Sequence, residues 1–247
     1  QPKKTTYAQV EYFLPARASG QKRDQNVWTP VRDCDALIQV VRNFTEYGMN
    51  PPNPLEDFAS LNQELILADL LVAEKRMERI DLDSKRGKAI DAEELSLLQQ
   101  CRKHLEDEIP LRRYAELASA PVLRGFAFLS AKPLLVLVNN SDEDEAVPDS
   151  ILQNDESVMV IRGKLESELS RMPPEELSDF LKEFNIAASA TDRVIQKSYE
   201  LLGLISFFTV GPDEVRAWTI KRGVAALDAA EVIHSDIKKG FIRAEVL

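Results

Sequence analysis

Residues 132–140 read KPLLVLVNN. The apolar run from Leu134 to Val138 is unbroken, and two asparagines close it. A strand covered on one face alternates apolar and polar residues, whereas one covered on both faces reads as a continuous apolar run. The stretch is strand-sized and far short of the roughly 18 apolar residues a membrane helix needs. Residues 35–44, DALIQVVRNF, and 157–162, SVMVIR, have the same character. Strands of this kind separated by crossovers predict an α/β fold built on a parallel sheet.

Between the first two of these strands the period changes. Phe58, Leu61, Leu65, Ala68 and Val72 step by three and four, which is a heptad seam. Ala73, Met77 and Ile80 continue it after a one-residue slip. The spacing predicts a helix over 55–80, about 39 Å long at 1.5 Å per residue. Residues 81–90 hold Gly87 and many charges and read as a turn. Asp91 and Glu94 have capping-box spacing. Leu95, Leu98, Arg102, Leu105 and Ile109 then carry a second helix, with Cys101 and Leu105 on one face. Two helices joined by a short turn pack antiparallel, so 47–117 is expected to be an inserted coiled-coil hairpin. Leu65→Asp is expected to unfold that hairpin and spare the sheet.

Residues 5–14, TTYAQVEYFL, are β-rich and read as a strand, followed by a loop over 15–33. After KPLLVLVNN comes an acidic loop, SDEDEAVPDS, and helical patterns occupy 164–171, 174–184 and 191–202. Beyond Gly203, Ile205–Val210 and Val215–Ile220 read as a hairpin around GPDE, Ala225–His234 as a short helix and Phe241–Leu247 as a strand. Strand, strand, helix, strand is how a β-grasp domain begins.

Across the 247 residues, 31 Lys and Arg stand against 41 Asp and Glu, a formal charge of −10, with 44% hydrophobic residues. That hydrophobic fraction excludes wholesale disorder. The acidic balance argues against broad nucleic-acid binding by charge alone. Cys34 and Cys101 form no disulfide framework and point to a reducing compartment. Two histidines make a His/Cys zinc site a poor expectation. A chain that starts at Gln and ends in an apolar strand pattern is expected to be a piece of a longer one, or to lack its termini.

Several segments carry a family resemblance. LLGLISFFTVGPDEVRAWTIKRG (201–223) and AAEVIHSDIKKGFIRAEV (229–246) resemble the C-terminal TGS-type β-grasp region of the YchF / Obg-like ATPase family. RDCDALIQVVRNF (32–44) resembles a strand of its G domain, NPLEDFASLNQELILADL (53–70) the start of its coiled-coil insertion, and KPLLVLVNNSDED (132–144) the strand that bears its base-specificity motif. The resemblance runs from about Thr5 to Leu247. It implies a partial P-loop NTPase-like parallel sheet over 1–46 and 118–204, an inserted helical hairpin over 47–117, and an incomplete TGS-like domain over 205–247. It further implies binding of ATP or GTP, with Mg²⁺ where a phosphate loop precedes Gln1 and no cofactor otherwise. Association with ribosomes or RNA in the cytoplasm is implied too. Neither a membrane nor DNA is an expected partner.

The departures from that family are equally specific. No Gly-x-x-x-x-Gly-Lys-Ser/Thr loop, whose backbone N–H groups and Lys cradle the β- and γ-phosphates, occurs in these residues. The family's Asp-x-x-Gly aligns with Leu14 and Arg17. Leucine cannot hold a hydrated cation, and arginine does not admit a phosphate to the backbone as glycine does. The base motif Asn-Lys-x-Asp reads Asn139-Asn140-Ser141-Asp142, with Asn140 in place of the Lys that packs along guanine. The Ser-Ala-Lys loop aligns with Arg162-Gly163-Lys164, of which only the Lys is kept.

Asn139, Asp142 and Lys164 are therefore candidate base contacts; the alternative is a polar strand end capping a loop beside a surface lysine. His234 and Asp236 tempt as an acid/base pair, but no nucleophile is spaced beside them, and His234 suits a helix C-terminus. Trp218 reads as strand packing rather than as a base-stacking platform. Residues 75–88 hold six basic against three acidic side chains. Lys85, Arg86 and Lys88 at their end are candidate RNA or partner contacts, the alternative being a solvated, salt-bridged helix face. No catalytic residue and no metal ligand is assigned. The expectation is a diverged, hydrolysis-deficient nucleotide-binding relative acting as a regulatory module in translation. The alternative is a working ATPase or GTPase whose phosphate loop lies outside these residues.

Overall fold

The computed structural model describes residues 3–15, 25–152, 156–173, 175–176 and 188–243. In chain order the strands are β1 (Lys4–Thr6), β2 (Leu37–Asn43), β3 (Leu134–Asn140), β4 (Ser157–Ile161), β5 (Leu204–Val210) and β6 (Glu214–Lys221). The helices are α1 (Thr29–Arg32), α2 (Pro54–Lys85), α3 (Ala92–Glu106), α4 (Ala115–Ser119), α5 (Asp149–Leu152), α6 (Gly163–Leu169), α7 (Ala190–Leu201), α8 (Ala226–Ile233) and α9 (Ser235–Lys239). The chain divides into two compact units, Phe13–Ala190 and Gln1–Tyr12 with Thr191–Leu247.

The first unit is built on a parallel sheet in the order β2-β3-β4. Its central strand is the stretch whose apolar run is continuous. β3 is buried from Leu134 through Val138 and again at Asn140. On one face Val41, Leu134, Val136 and Val138 pack with Phe58 of α2 and Ile151 of α5. Each such side chain contributes about 1.5–3 kcal/mol by leaving water.

α2 begins where Asn53 accepts the Glu56 N–H at 3.3 Å and Pro54 takes the first turn, a position that needs no N–H donor. It runs to Lys85, a turn beyond the 55–80 that periodicity predicts, and stops before Gly87, whose φ of +76° favours glycine. α3 starts at the expected cap, with Asp91 Oδ1 accepting the N–H groups of Glu93 and Glu94.

The seam between α2 and α3 differs from the predicted one. Ile66, Ala73 and Ile80, seven residues apart, meet Leu98, Cys101 and Leu105. Phe58 belongs instead to the sheet core, and Leu65 packs with Val31 and Leu129. The first turns of α2 lie against β2, where Gln39 Nε2 donates to the carbonyl oxygens of Asp57 and Phe58. The apolar face there serves the sheet, and only further along does α2 face α3. The expectation for Leu65→Asp falls with this, because Leu65 is not a seam residue.

Two buried ionic nodes tie the hairpin to the start of β3. Asp69 accepts the N–H groups of Leu129 and Ser130 at 3.0 and 2.6 Å and faces Arg32 Nη1 at 2.9 Å. Arg112 pairs with Glu156 at 2.6 Å, donates to Asn62 Oδ1 at 2.6 Å, and gives its backbone N–H to the Ser130 carbonyl.

In the second unit β5 and β6 form the expected antiparallel hairpin, and β1 lies parallel to β6 in the order β1-β6-β5. Residues 4–6 thus belong with the C-terminal sheet rather than with the α/β part to which the sequence assigned them. The predicted strand over 5–14 shrinks to Lys4–Thr6, and residues 7–15 have no regular structure. β-rich composition shows only that a segment suits a pleated surface, not which strand it will pair with. Residues 241–243 are irregular, while 244–247 of the strand predicted at the end lie outside the described residues, as does most of the helix predicted over 174–184.

Candidate functional site

In open α/β sheets ligands bind beyond the C-terminal ends of the strands. At that end of β3 stands Asn139, in register with Arg42 of β2 and Ile161 of β4. Its Oδ1 accepts the Gly163 N–H at 2.8 Å. Three residues on, Asp142 Oδ1 accepts the Leu165 N–H at 3.1 Å, and its Oδ2 lies 3.8 Å from Lys164 Nζ. Asn139, Asp142 and Lys164 are thus brought together at the first turn of α6. The Asp142 carboxylate is 35% exposed and the Lys164 side chain 78%. An exposed pair of this kind is worth about 1 kcal/mol or less, so either partner is available to a ligand.

The loop between them is closed from two sides. Arg162 pairs with Glu145 at 2.7 Å and reaches the Asp142 carbonyl at 3.4 Å. Asn140, which replaces the family's Lys, is 3% exposed. Its Nδ2 donates to the carbonyls of Asp144 and Ala146, and its Oδ1 accepts from Asn43 Nδ2. Asn140 therefore organises the acidic loop from within and presents no stem to a purine ring. The sequence showed the replacement; the inward turn depends on Asn43 and the loop carbonyls, which no local pattern announces. Gly163 is a second residue whose role spacing alone did not reveal. A Cβ built there would lie 2.9 Å from Asn139 Oδ1.

The other sequence candidates lie apart from this cluster. Leu14 has a 90% exposed side chain with no oxygen to offer a cation, and Arg17 lies outside the described residues. Lys85, Arg86 and Lys88 are exposed at the hairpin tip, where Lys85 pairs with Asp81 at 2.5 Å and Lys88 with Asp83 at 2.7 Å. The Lys88 hydrogen bond holds the Asp83 carboxyl below the usual carboxylate range. His234 links α8 to α9, its Nδ1 accepting the Asp236 N–H at 3.2 Å. Trp218 donates to Thr209 Oγ1 at 2.9 Å, with the Arg216 guanidinium 4.2 Å from its ring centre. Both have structural partners, and His234 serves as the cap acceptor of α9 rather than only as the residue that ends α8.

The chain is 32% identical over its whole length to the ribosome-binding ATPase YchF of Bacillus subtilis, of which it spans 73%. It is 33% identical to the protein of that name from Haemophilus ducreyi, spanning 71%. This chain belongs to the YchF family. A family model for the YchF GTPase C-terminal region, described as "Protein of unknown function (DUF933)", matches residues 204–247. The structure of the Schizosaccharomyces pombe YchF GTPase superposes with a TM-score of 0.81 at 26% identity, over 98% of this chain and 71% of that one. The α/β class, with a P-loop NTPase-like sheet and a TGS-like C-terminal part, is the YchF architecture.

Proposed function

We propose that this YchF-family chain binds a purine nucleotide through Asn139 and Asp142, with Lys164 beside them, and serves as a ribosome-associated regulatory module that hydrolyses the nucleotide poorly. The observation that carries the reading is that both side chains are held by backbone N–H groups of one helical turn, Gly163 and Leu165, while Asp142 Oδ2 stays at the surface. A carboxylate held at one oxygen keeps the other to accept N–H groups from a purine edge. Ribosome association rests on the relatives, which are named ribosome-binding ATPases. The basic tip at Lys85, Arg86 and Lys88 supplies a surface of the right charge for RNA phosphates.

Low turnover is inferred from the groups available. Phosphoryl transfer depends on a positioned metal and on charge stabilisation. Leu14 and Arg17 offer neither at the places where the family carries Asp and Gly, and these residues contain no phosphate loop. The residues present fit the base end of a nucleotide, and none is assigned to its phosphates or to Mg²⁺. The name "ATPase" borne by the relatives favours a second reading, in which a longer chain supplies the phosphate loop and turns over.

Base selectivity is expected to be weak. Asp142 leans towards guanine, whose edge offers two donors, but the inward Asn140 gives the ring no stem to pack against. Calorimetric titration with ATP and GTP in the presence of Mg²⁺ tests this. Discrimination below about tenfold, equivalent to about 1.4 kcal/mol, is expected. Asp142→Ala should weaken GTP by about 1.5–3 kcal/mol, the worth of a charge-assisted hydrogen bond, and ATP by less. Unchanged affinities for both would remove residues 139–142 from nucleotide recognition. A steady-state hydrolysis rate well above background, lost on Asp142→Ala, would favour the second reading.

A further inference from the structure

Gly163 opens α6, yet its backbone does not call for glycine. Positive φ among the described glycines is confined to Gly48, Gly87, Gly203 and Gly223. An alanine at 163 is compatible with that backbone and would favour the helix. The obstacle is a single side chain. From the place a Cβ would occupy, Asn139 Oδ1 is 2.9 Å away, Nδ2 3.1 Å and Cγ 3.3 Å. The whole carboxamide plane lies across the bare Cα, so turning the amide about its last bond relieves nothing. The Asn139 side chain as a whole must move before a methyl group fits.

The same contact orients Asn139. Its Oδ1 is taken by the Gly163 N–H at 2.8 Å, which fixes which edge of the amide faces the helix. The Nδ2 is thereby left as the donor of an amide seated against Gly163 at the C-terminal end of β3, one loop away from the Asp142 carboxylate. We propose that Gly163 is a positioning residue of the base site: the missing side chain admits the Asn139 carboxamide, and its N–H holds Oδ1 so that Nδ2 is left as the donor for a purine. This rests on the base-site reading above. It adds the claim that the residue aligned with the family's loop Ala acts through Asn139 rather than through its own contact with a nucleotide.

The test is a double-mutant cycle on the whole chain, using ATP and GTP with Mg²⁺ and reading affinity by calorimetry and melting temperature by circular dichroism. Gly163→Ala, Asn139→Ala and the pair of changes together are compared with the unaltered chain. Gly163→Ala should weaken binding by about tenfold, the loss of one neutral hydrogen bond with its geometry, while the melting temperature holds or rises. Asn139→Ala should weaken it similarly, and the combined variant no further, because residues that act through one contact do not add. Full affinity in Gly163→Ala, with Asn139→Ala impaired, would overturn the proposal and leave the base site standing. Additive losses would overturn it too, by showing that Gly163 acts independently. Unchanged affinity in Asn139→Ala, or no binding by the unaltered chain, would overturn the base-site reading and the proposal with it.

Discussion

Asn43 Nδ2 donates to Asn140 Oδ1 at 2.9 Å, so the last residues of β2 and β3 are bonded side by side beneath the candidate site. Asn140 spends its remaining donors on the carbonyls of Asp144 and Ala146. Asn140→Leu keeps the branched shape and orphans all three partners, and a buried polar group without a partner costs about 1–3 kcal/mol. The partners at the loop can turn to water, so a net loss of about 2–3 kcal/mol in urea unfolding is expected. Asn140→Lys, which restores the family residue, should destabilise as well, since an ammonium cannot occupy a place this buried and accepts no hydrogen bond from Asn43. A lysine variant as stable as the natural chain would show that the loop does not depend on Asn140.

Asp69 and Arg32 form a second node, in which the Asp69 carboxylate is fully buried. Asp69→Ala leaves the N–H groups of Leu129 and Ser130 and the Arg32 guanidinium without their acceptor. Removing one partner of such a pair costs about 3–5 kcal/mol, and denaturant midpoints of the variant and the natural chain measure it directly. The pH dependence carries a definite sign. Burial, opposed by the Ser130 and Leu129 N–H groups and by Arg32, holds the Asp69 carboxyl above its usual range. A raised folded-state pKa means that the folded chain binds the proton more tightly than the unfolded one. The contribution of this group is complete below the unfolded value of about 3.9 and declines as pH rises through the raised one. Asp69→Asn, which cannot titrate, should therefore lack that decline, and its stability deficit against the natural chain should shrink as pH rises from about 4.

The hairpin seam gives a third expectation. Leu98 has no exposed surface and sits among Ile66, Ala73 and Leu105. Leu98→Ala should cost about 2–5 kcal/mol and speed hydrogen exchange in α3 before β3. Leu65→Asp, placed against Val31 and Leu129 in a cluster that Leu37 of β2 also joins, should instead expose amides of β2. The reverse pattern of exchange would restore the seam that the heptad spacing suggested.

That reversal shows where the sequence stopped being legible. The strands of the parallel sheet could be read because burial on both faces leaves a continuous apolar run, and α3 because Asp91 announces its cap. The apolar face of α2 could be read in part, but not which neighbour each part of it serves, since Phe58, Leu65 and Ile80 carry the same signal while facing different neighbours, and Ile66 of the true seam lies outside the heptad spacing. The pairing of β1 with β6 joins segments some 210 residues apart, as the ion pair Lys3–Asp213 also does, and no local periodicity encodes a partner at that distance. At the candidate site Asn139, Asp142 and Lys164 followed from spacing and resemblance. The inward turn of Asn140 and the need for glycine at 163 are products of packing, and became visible only with neighbours in place.

The two cysteines should react very differently. Cys101 has no exposed surface within the hairpin seam, and burial, reinforced by the nearby Asp69 charge, pushes its thiol up to about 11. The thiolate is the reactive form, so at pH 8 only about one thiol in a thousand would be ionised even if a reagent could reach it. Cys34 is partly exposed at the end of α1. Titration with an aromatic disulfide at pH 8 should register one fast thiol in the folded chain and two in denaturant. While the hairpin stays folded the slow thiol should accelerate only as pH approaches its raised value, and Leu98→Ala should advance it at constant pH by loosening the seam. Two thiols of equal rate in the folded chain would mean that α2 and α3 do not enclose Cys101.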